Sequence, residues 1–195
     1  MTDATVGGRD RSQLRTMLAE AEIKSVLARY CRAIDRMDPA LIRSVYHSDA
    51  RDNHVSFSGS VDEFAVWVCE VALAAYEWTM HNLGTCNLQI VGDVAYVETY
   101  AICYHGRATA DDDGLEILKT SAVRYIDRFE SREDGPWLIA DRLVVVDWRR
   151  EEQIRSQRRT RPQELTGQRG PADPSYVLRR GAGDVAAVSG GWALF

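Results

Sequence analysis

The chain has 195 residues, 45% of them hydrophobic and 27% charged, which suits one domain with its own core and excludes a disordered protein. It contains no apolar run of membrane-spanning length, and its first residues, MTDATVGGRDR, lack the apolar segment of a signal peptide. With 24 basic against 29 acidic side chains, the net charge of −5 offers no general attraction for nucleic acid, and we expect a cytoplasmic protein.

Two helices are predicted at the start of the chain, after a flexible N-terminus of residues 1–11. The first runs from about Arg11 to Met37, and Asp38-Pro39 then provides an N-cap and a first-turn proline for a short second helix. The apolar residues of the first helix recur at spacings of three and four, as in an amphipathic helix: Leu14, Met17, Leu18, Ala21, Ile23, Val26, Leu27, Tyr30 and Ile34.

A third helix is predicted after a short extended segment. Residues 51–58 fit a strand or hairpin arm, and Gly59 interrupts the chain before Ser60, which stands three residues ahead of Glu63 as a capping box. The helix that follows has an apolar stripe that another layer must cover: Phe64, Trp67, Val68, Val71, Ala72 and Ala75.

The second half of the chain predicts an antiparallel sheet. Four long segments have extended periodicity: Thr85–Val91, Val94–Arg107, Ile117–Glu130 and Trp137–Trp148. The connections between them are rich in Gly and Asp, which favours consecutive hairpins over parallel crossovers. Three helices followed by such a meander predict an α+β domain, in which a strongly curved antiparallel sheet wraps around the helices as a cone.

We expect this cone to occupy residues 12–150, with residues 151–195 as a C-terminal extension. Six arginines mark the boundary and fit the solvated face of a helix, with anion binding or a subunit contact as the alternative: Arg149, Arg150, Arg155, Arg158, Arg159 and Arg161. The chain ends in the apolar segment 191–195, which we expect to fold over the mouth of the cone, as a lid, or onto a neighbouring subunit.

Neither a metal nor a cofactor is expected from the motifs. The four cysteines form no CxxC pair and fit reduced packing residues: Cys31, Cys69, Cys86 and Cys103. The four histidines and the scattered carboxylates lack the spacing of a metal site. Dinucleotide, P-loop, zinc-protease and nucleophile-elbow motifs are absent from the sequence.

Asp35 and His81 form the candidate acid–base pair. Asp35 lies at the end of the first helix, five residues after Tyr30, so both side chains can face the interior. His81 lies where helix changes to sheet, and a buried carboxylate would keep one ring nitrogen protonated and leave the other free to accept a proton. From the residues alone, a solvated or capping aspartate and a structural histidine remain the alternatives.

Other polar and aromatic side chains are candidates for the wall of a substrate site. His105 ends a predicted strand and joins the catalytic set, while the predicted substrate-binding set consists of His54, Tyr46, Trp67, Arg128 and Arg142. Strand alternation does not determine which face of a strand lines the interior, so exposed strand charges remain the alternative for the arginines.

Four segments resemble the SnoaL-like group of the nuclear transport factor 2-like superfamily: IKSVLARYCRAIDRMD from Ile23, LIRSVYHSDA from Leu41, HNLG from His81 and RYIDRFE…DGPWLI from Arg124. The resemblance spans roughly residues 12–150 and implies the cone fold. Within this group, the chain looks most similar in mechanism to scytalone dehydratase, hexachlorocyclohexane dehydrochlorinase and bile-acid 7α-dehydratase, which are cofactor-free lyases.

The resemblance implies a dyad of Asp35 and His81, a tyrosine shortly before the aspartate at Tyr30, and a second histidine one strand later at His105. We therefore expect a cofactor-free lyase that removes a proton from a hydrophobic cyclic or aromatic molecule and expels water, halide or a small carbonyl fragment. A polyketide cyclase or ketosteroid-type isomerase stays open, as does a non-catalytic subunit like the small subunit of ring-hydroxylating dioxygenases. A homodimer or homotrimer is expected, because the group forms both.

Overall fold

The computed structural model describes residues 8–108, 115–155 and 166–177 of the chain. Two helices open the chain, a third follows the first two strands, and a curved sheet of six strands does not close, so the predicted α+β class is confirmed. In these three ranges, no helix is both long enough and apolar enough to cross a membrane.

The first helix, α1 (Gly8–Asp35), is the longest, and residues 8–11 are helical rather than part of a flexible N-terminus. Its apolar residues from Ile23 to Ile34 are buried. The large apolar residues of its first half are exposed instead: Leu14, Met17 and Leu18. The chain leaves the helix at Met37, whose backbone is left-handed with φ at 53°.

The corner after α1 forms as the sequence predicts. The Asp38 carboxylate accepts a hydrogen bond from the backbone N–H of Leu41 at 2.9 Å and so caps α2 (Pro39–Arg43). Strand β1 (Tyr46–His54) starts earlier than expected from the sequence and pairs with β2 (Phe57–Ser60) in a hairpin.

A capping box starts the third helix, as predicted. The Ser60 hydroxyl accepts a hydrogen bond from the backbone N–H of Glu63 at 3.4 Å, and the Glu63 carboxylate accepts one from the Ser60 N–H at 2.8 Å. Helix α3 (Val61–Trp67) then continues as one π-helical turn, Val68–Ala72. It packs against β1 and β2.

Four long strands form the predicted meander: β3 (Trp78–Val91), β4 (Val94–Ala108), β5 (Leu115–Ser131) and β6 (Trp137–Arg155). The strand order is β2-β1-β6-β5-β4-β3. All neighbours are antiparallel except β1 and β6, which are parallel and so depart from the fully antiparallel sheet that was expected. Two parallel strands need a long connection, and here residues 55–136 connect β1 to β6.

Two strands are longer than predicted. Strand β3 begins at Trp78 rather than Thr85, which places His81 inside the strand. Strand β6 continues to Arg155 because it pairs with the first half of β5. Arg149, Arg150 and Arg155 therefore lie on a strand and not on a helix face. Arg158, Arg159, Arg161 and the segment 191–195 lie outside the described residues.

The described part of the extension packs against the end of α1. It contains a 3₁₀ turn, Gly170–Ala172, followed by α4 (Pro174–Val177). The Tyr176 hydroxyl donates to Asp38 at 2.9 Å, and the Asp173 carboxylate lies 3.4 Å from the Arg36 guanidinium.

The core between the helices and the inner face of the sheet contains an ion pair. Arg142 on β6 donates two hydrogen bonds of 2.7 Å to the two carboxylate oxygens of Asp127 on β5, and both side chains are 0% exposed. The guanidinium lies over the ring of Tyr30 at 3.9 Å and over that of Tyr125 at 4.4 Å. Bidentate geometry and aromatic contacts offset part of the cost of burying the charges.

Asp127→Ala should lower the free energy of unfolding by about 3–5 kcal/mol, because it leaves the Arg142 charge buried without its partner. The matched control is Asp141→Ala, which removes the exposed partner of Arg128 and should cost less than about 1 kcal/mol. Urea unfolding followed by circular dichroism measures both, and equal losses would contradict the structural role of the buried pair.

Candidate active site

A cavity of about 420 Å³ lies between the inner face of the sheet and the segment formed by α3 and the π-helical turn. Its volume falls in the range of small-molecule sites. The helical side is apolar, with Ile34, Trp67, Val68, Val71, Ala72 and Leu73. The sheet side is more polar and carries His81, Cys103, His105, Lys119, Ser121 and Arg149.

Asp35 and His81 form a hydrogen-bonded pair in the wall of this cavity. The Nδ1 atom of His81 lies 2.7 Å from Oδ1 of Asp35, and each side chain is about a tenth exposed, at 8% for His81 and 11% for Asp35. The same carboxylate accepts hydrogen bonds from the backbone N–H of His81 at 3.0 Å and from the Thr79 hydroxyl at 2.9 Å. His81 lines the cavity and Asp35 lies behind it, so Nε2 is the ring nitrogen left for a ligand.

The pKa of His81 is raised to about 10. Burial by itself lowers this pKa, but the neighbouring Cys103 sulfur and the hydrogen bond to the Asp35 carboxylate outweigh burial. The imidazolium form is therefore stabilised, so the ring is mostly protonated at neutral pH and accepts a proton only in its neutral form, whose share grows as the pH rises.

Tyr30 and His105 also line the cavity, as expected for the catalytic set. Burial raises the pKa of Tyr30 well above its ordinary value, so its hydroxyl keeps its proton. Burial, with the nearby charges of His81 and Lys119, lowers the pKa of His105 to about 3, so its ring is neutral. The two imidazole rings meet edge to face, with centroids 5.7 Å apart.

His54 lines the far side of the cavity with a buried carboxylate behind it. Its Nδ1 lies 3.4 Å from Oδ1 of Asp52, and Oδ2 of Asp52 accepts a hydrogen bond from the Tyr46 hydroxyl at 2.7 Å. Asp52 is fully buried. The His54 ring packs against Phe64 and Trp67, with centroids at 5.3 and 6.1 Å. This second histidine–aspartate pair was not predicted, because only its histidine had been singled out.

Three residues of the predicted substrate-binding set lie elsewhere. Arg128 points to the outer surface and pairs with Asp141 at 2.9 Å and with Glu130, so its predicted contact with substrate is corrected. Tyr46 and Arg142 are buried beneath the cavity and do not line it. They support Tyr30, because the Tyr46 ring meets it edge to face at 6.2 Å and the Arg142 guanidinium covers it.

Several cavity residues were missed as site candidates, among them Tyr76, Lys119, Ser121 and Tyr125. Arg149 was named only in the basic cluster, with anion binding as an alternative role. The sheet register brings together those on different strands, and no local motif announces them. In the part of the chain that the structure describes, no three His, Cys, Asp or Glu side chains are grouped as a metal site would require.

A family model described as the SnoaL-like domain matches residues 15–143. The chain belongs to this SnoaL-like family. The resemblance expected from the sequence is thereby confirmed. No curated protein matches the chain.

Several solved structures have the same fold as this SnoaL-like protein. A hexachlorocyclohexane dehydrochlorinase from Novosphingobium barchaimii is 16% identical, with 72% of this chain and 94% of that chain covered at a TM-score of 0.60. A scytalone dehydratase-like protein from Novosphingobium aromaticivorans is 17% identical, with 75% and 93% covered at 0.59. A nuclear transport factor 2-like protein from Salmonella enterica is 16% identical, with 67% and 92% covered at 0.56. At these identities the likeness shows the fold.

Asp35→Asn should lower the pKa of His81 from about 10, because the imidazolium loses the carboxylate that stabilises it. NMR titration of the imidazole C–H resonances measures this pKa. Asp49→Asn, which removes an exposed carboxylate bound to Arg132, is the control and should leave His81 unchanged. The same His81 pKa in Asp35→Asn and the parent protein would refute the pairing.

Proposed function

We propose that this SnoaL-like protein is a cofactor-free lyase acting on a hydrophobic cyclic or aromatic molecule, with loss of water, halide or a small carbonyl fragment. One observation carries the proposal, which is the hydrogen bond of 2.7 Å between Asp35 and His81 in the wall of a cavity of about 420 Å³. The dehydrochlorinase and dehydratase-like structures with the same fold support an elimination reaction.

His81 is the base in this mechanism. Its Nε2 takes a proton from a substrate carbon, the C–H electron pair becomes the new double bond, and the leaving group departs with its bonding electrons. Asp35 holds the ring by Nδ1 and stabilises the imidazolium that forms. A base positioned in this way contributes about 10²–10⁴-fold to the rate.

Tyr30 and His105 stabilise the charge that develops on the leaving group or on a substrate carbonyl. Both are neutral, Tyr30 because burial raises its pKa and His105 because burial and nearby cations lower its pKa, so each can donate a hydrogen bond. His54 and Trp67 contact the substrate from the opposite side of the cavity.

Two other functions differ from this proposal in testable ways. A cyclase or isomerase starts with the same proton abstraction and is distinguished by its product. A non-catalytic subunit needs no acid–base pair, and the close contact of Asp35 with His81 favours catalysis over it.

For its assembly and location we propose a homodimer or homotrimer in the cytoplasm. Five large apolar side chains are exposed on the outer face of the sheet: Met80, Tyr96, Tyr100, Leu143 and Trp148. Exposed apolar side chains of this kind are commonly covered by another subunit, and a second copy of the chain is the partner we propose.

Two ring-bearing substrates that differ only in leaving group test the reaction. The aldol of benzaldehyde and acetone loses water, its β-chloro analogue loses chloride, and both give benzylideneacetone, which is followed by its absorbance. We expect turnover of at least one, and a loss of about a hundredfold or more in His81→Ala and in Asp35→Asn with the fold intact.

His47→Ala is the matched control, because His47 bonds the backbone oxygen of Glu130 outside the cavity and its loss should leave turnover unchanged. No turnover of either substrate, or near-parent turnover in His81→Ala, would count against the proposal.

The rate should rise with pH. His81 accepts a proton only when neutral, and with a pKa of about 10 it is mostly protonated at neutral pH, so the rate rises about tenfold per unit and levels off near that pKa. In Asp35→Asn the rise should end at lower pH and at a lower plateau, because the imidazole is a weaker base. A pH–rate profile of the same elimination measures this, and a flat profile above neutrality would be inconsistent with His81 as the base.

A further inference from the structure

The charged side chains of the cavity wall are all of one sign. Among the described residues that line it, the ionisable groups other than tyrosine and cysteine are His54, His81, His105, Lys119 and Arg149. No aspartate or glutamate of the described chain lines the cavity, although the protein as a whole has a net charge of −5. Asp35 lies behind His81 and its carboxylate is occupied by three hydrogen bonds.

The sheet register relates the cations to His81. Cys103 pairs with His81 on one side and with Ser121 on the other, and Ser121 pairs with Arg149, so these four residues form one row across the inner face. Three strand spacings separate the ends of the row, a distance of about 14 Å between backbones. Lys119 lies in the next row, opposite His105.

Arg149 is an exposed arginine of β6 without a carboxylate partner in the described chain. It makes no hydrogen bond or ion pair with any residue that the structure describes. By contrast, Arg107 pairs with Glu151 at 3.6 Å, Arg142 with Asp127, and Arg150 with Glu152.

The ammonium group of Lys119 is also without an anionic partner in the described chain. It donates to the Tyr76 hydroxyl at 3.4 Å. Glu151 pairs with Lys119 in the strand register, but its carboxylate forms the ion pair with Arg107.

We propose that the ligand of this cavity is an organic anion, an apolar ring system with a carboxylate that Arg149 and Lys119 bind. The planar guanidinium of Arg149 matches the two oxygens of a carboxylate, and Lys119, which is less exposed than Arg149, adds a second charge. A carboxylate held there directs the ring along the row toward His81 and against the apolar side of the cavity. The elimination of a bound anion rests on the proposed function. The binding of an organic anion does not, because it needs no turnover.

Matched ligands that differ in charge test the proposal on the full-length protein. Hydrocinnamate and naphthoate are compared with their neutral amides by isothermal titration calorimetry. We expect each carboxylate to bind about tenfold or more tightly than its amide, since hydrogen bonds to charged groups are the stronger kind. The preference should shrink as salt is added.

Three variants assign the effect. Arg149→Gln should remove most of the preference and leave the affinity for the amides unchanged, which also shows that the cavity has kept its shape. The double variant Arg149→Gln/Lys119→Met should reduce the preference for carboxylates further than Arg149→Gln alone. Arg150→Gln is the control, because Arg150 projects from the opposite face of β6, with its side chain 65% exposed, and should retain the preference.

Equal affinity for carboxylates and amides, or no binding of any carboxylate, would overturn the proposal. A preference that survives in the double variant, or one that Arg150→Gln removes, would do the same. The variant His81→Ala separates this inference from the proposed reaction. Loss of elimination with the preference for carboxylates retained agrees with both proposals. Retained elimination with the same preference refutes His81 as the base but not the anion site.

Discussion

The carboxylate of Asp35 is the group on which both the fold and the candidate chemistry depend. It ends α1, where the helix dipole disfavours negative charge, and its residue is 8% exposed, so water does little to stabilise it. Three donors on β3 replace that water, from the Thr79 hydroxyl and from the backbone and ring of His81. These hydrogen bonds dock α1 on the sheet and also determine which imidazole nitrogen faces the cavity.

A second layer of buried charge supports the other side of the cavity. The pair of Arg142 and Asp127 packs under Tyr30, while Asp52 joins Tyr46 to His54. Each of these two cavity histidines, His54 and His81, thus has a buried carboxylate behind it, in hydrogen-bond contact for His81 and at 3.4 Å for His54. Such a layer limits side-chain motion in the wall, because moving one member would leave a buried charge without its partner.

The sequence predicts the starts of the helices well because their signals are local, whereas the site pair was predicted from the family resemblance. The Asp38 cap and the Ser60–Glu63 box are read directly from residue spacing, and Asp35 and His81 were placed together by the family resemblance. Which face of each strand lines the cavity could not be predicted from the sequence. Strand β6 has register shifts against β5 near Val123 and near Phe129, and each irregularity shifts the inward alternation, so the sequence does not show that Arg128 faces outward or that Lys119 and Arg149 face the cavity.

The parallel pairing of β1 with β6 affects the order in which the molecule is built. Tyr46 has to wait for Ile139, about ninety residues later, before its strand gains a neighbour on that side, and closing so long a loop is entropically slow. During synthesis on the ribosome, the two opening helices and the first hairpin emerge with their apolar faces uncovered until the last strand arrives. The wall around His54 is therefore completed only when β6 pairs with β1.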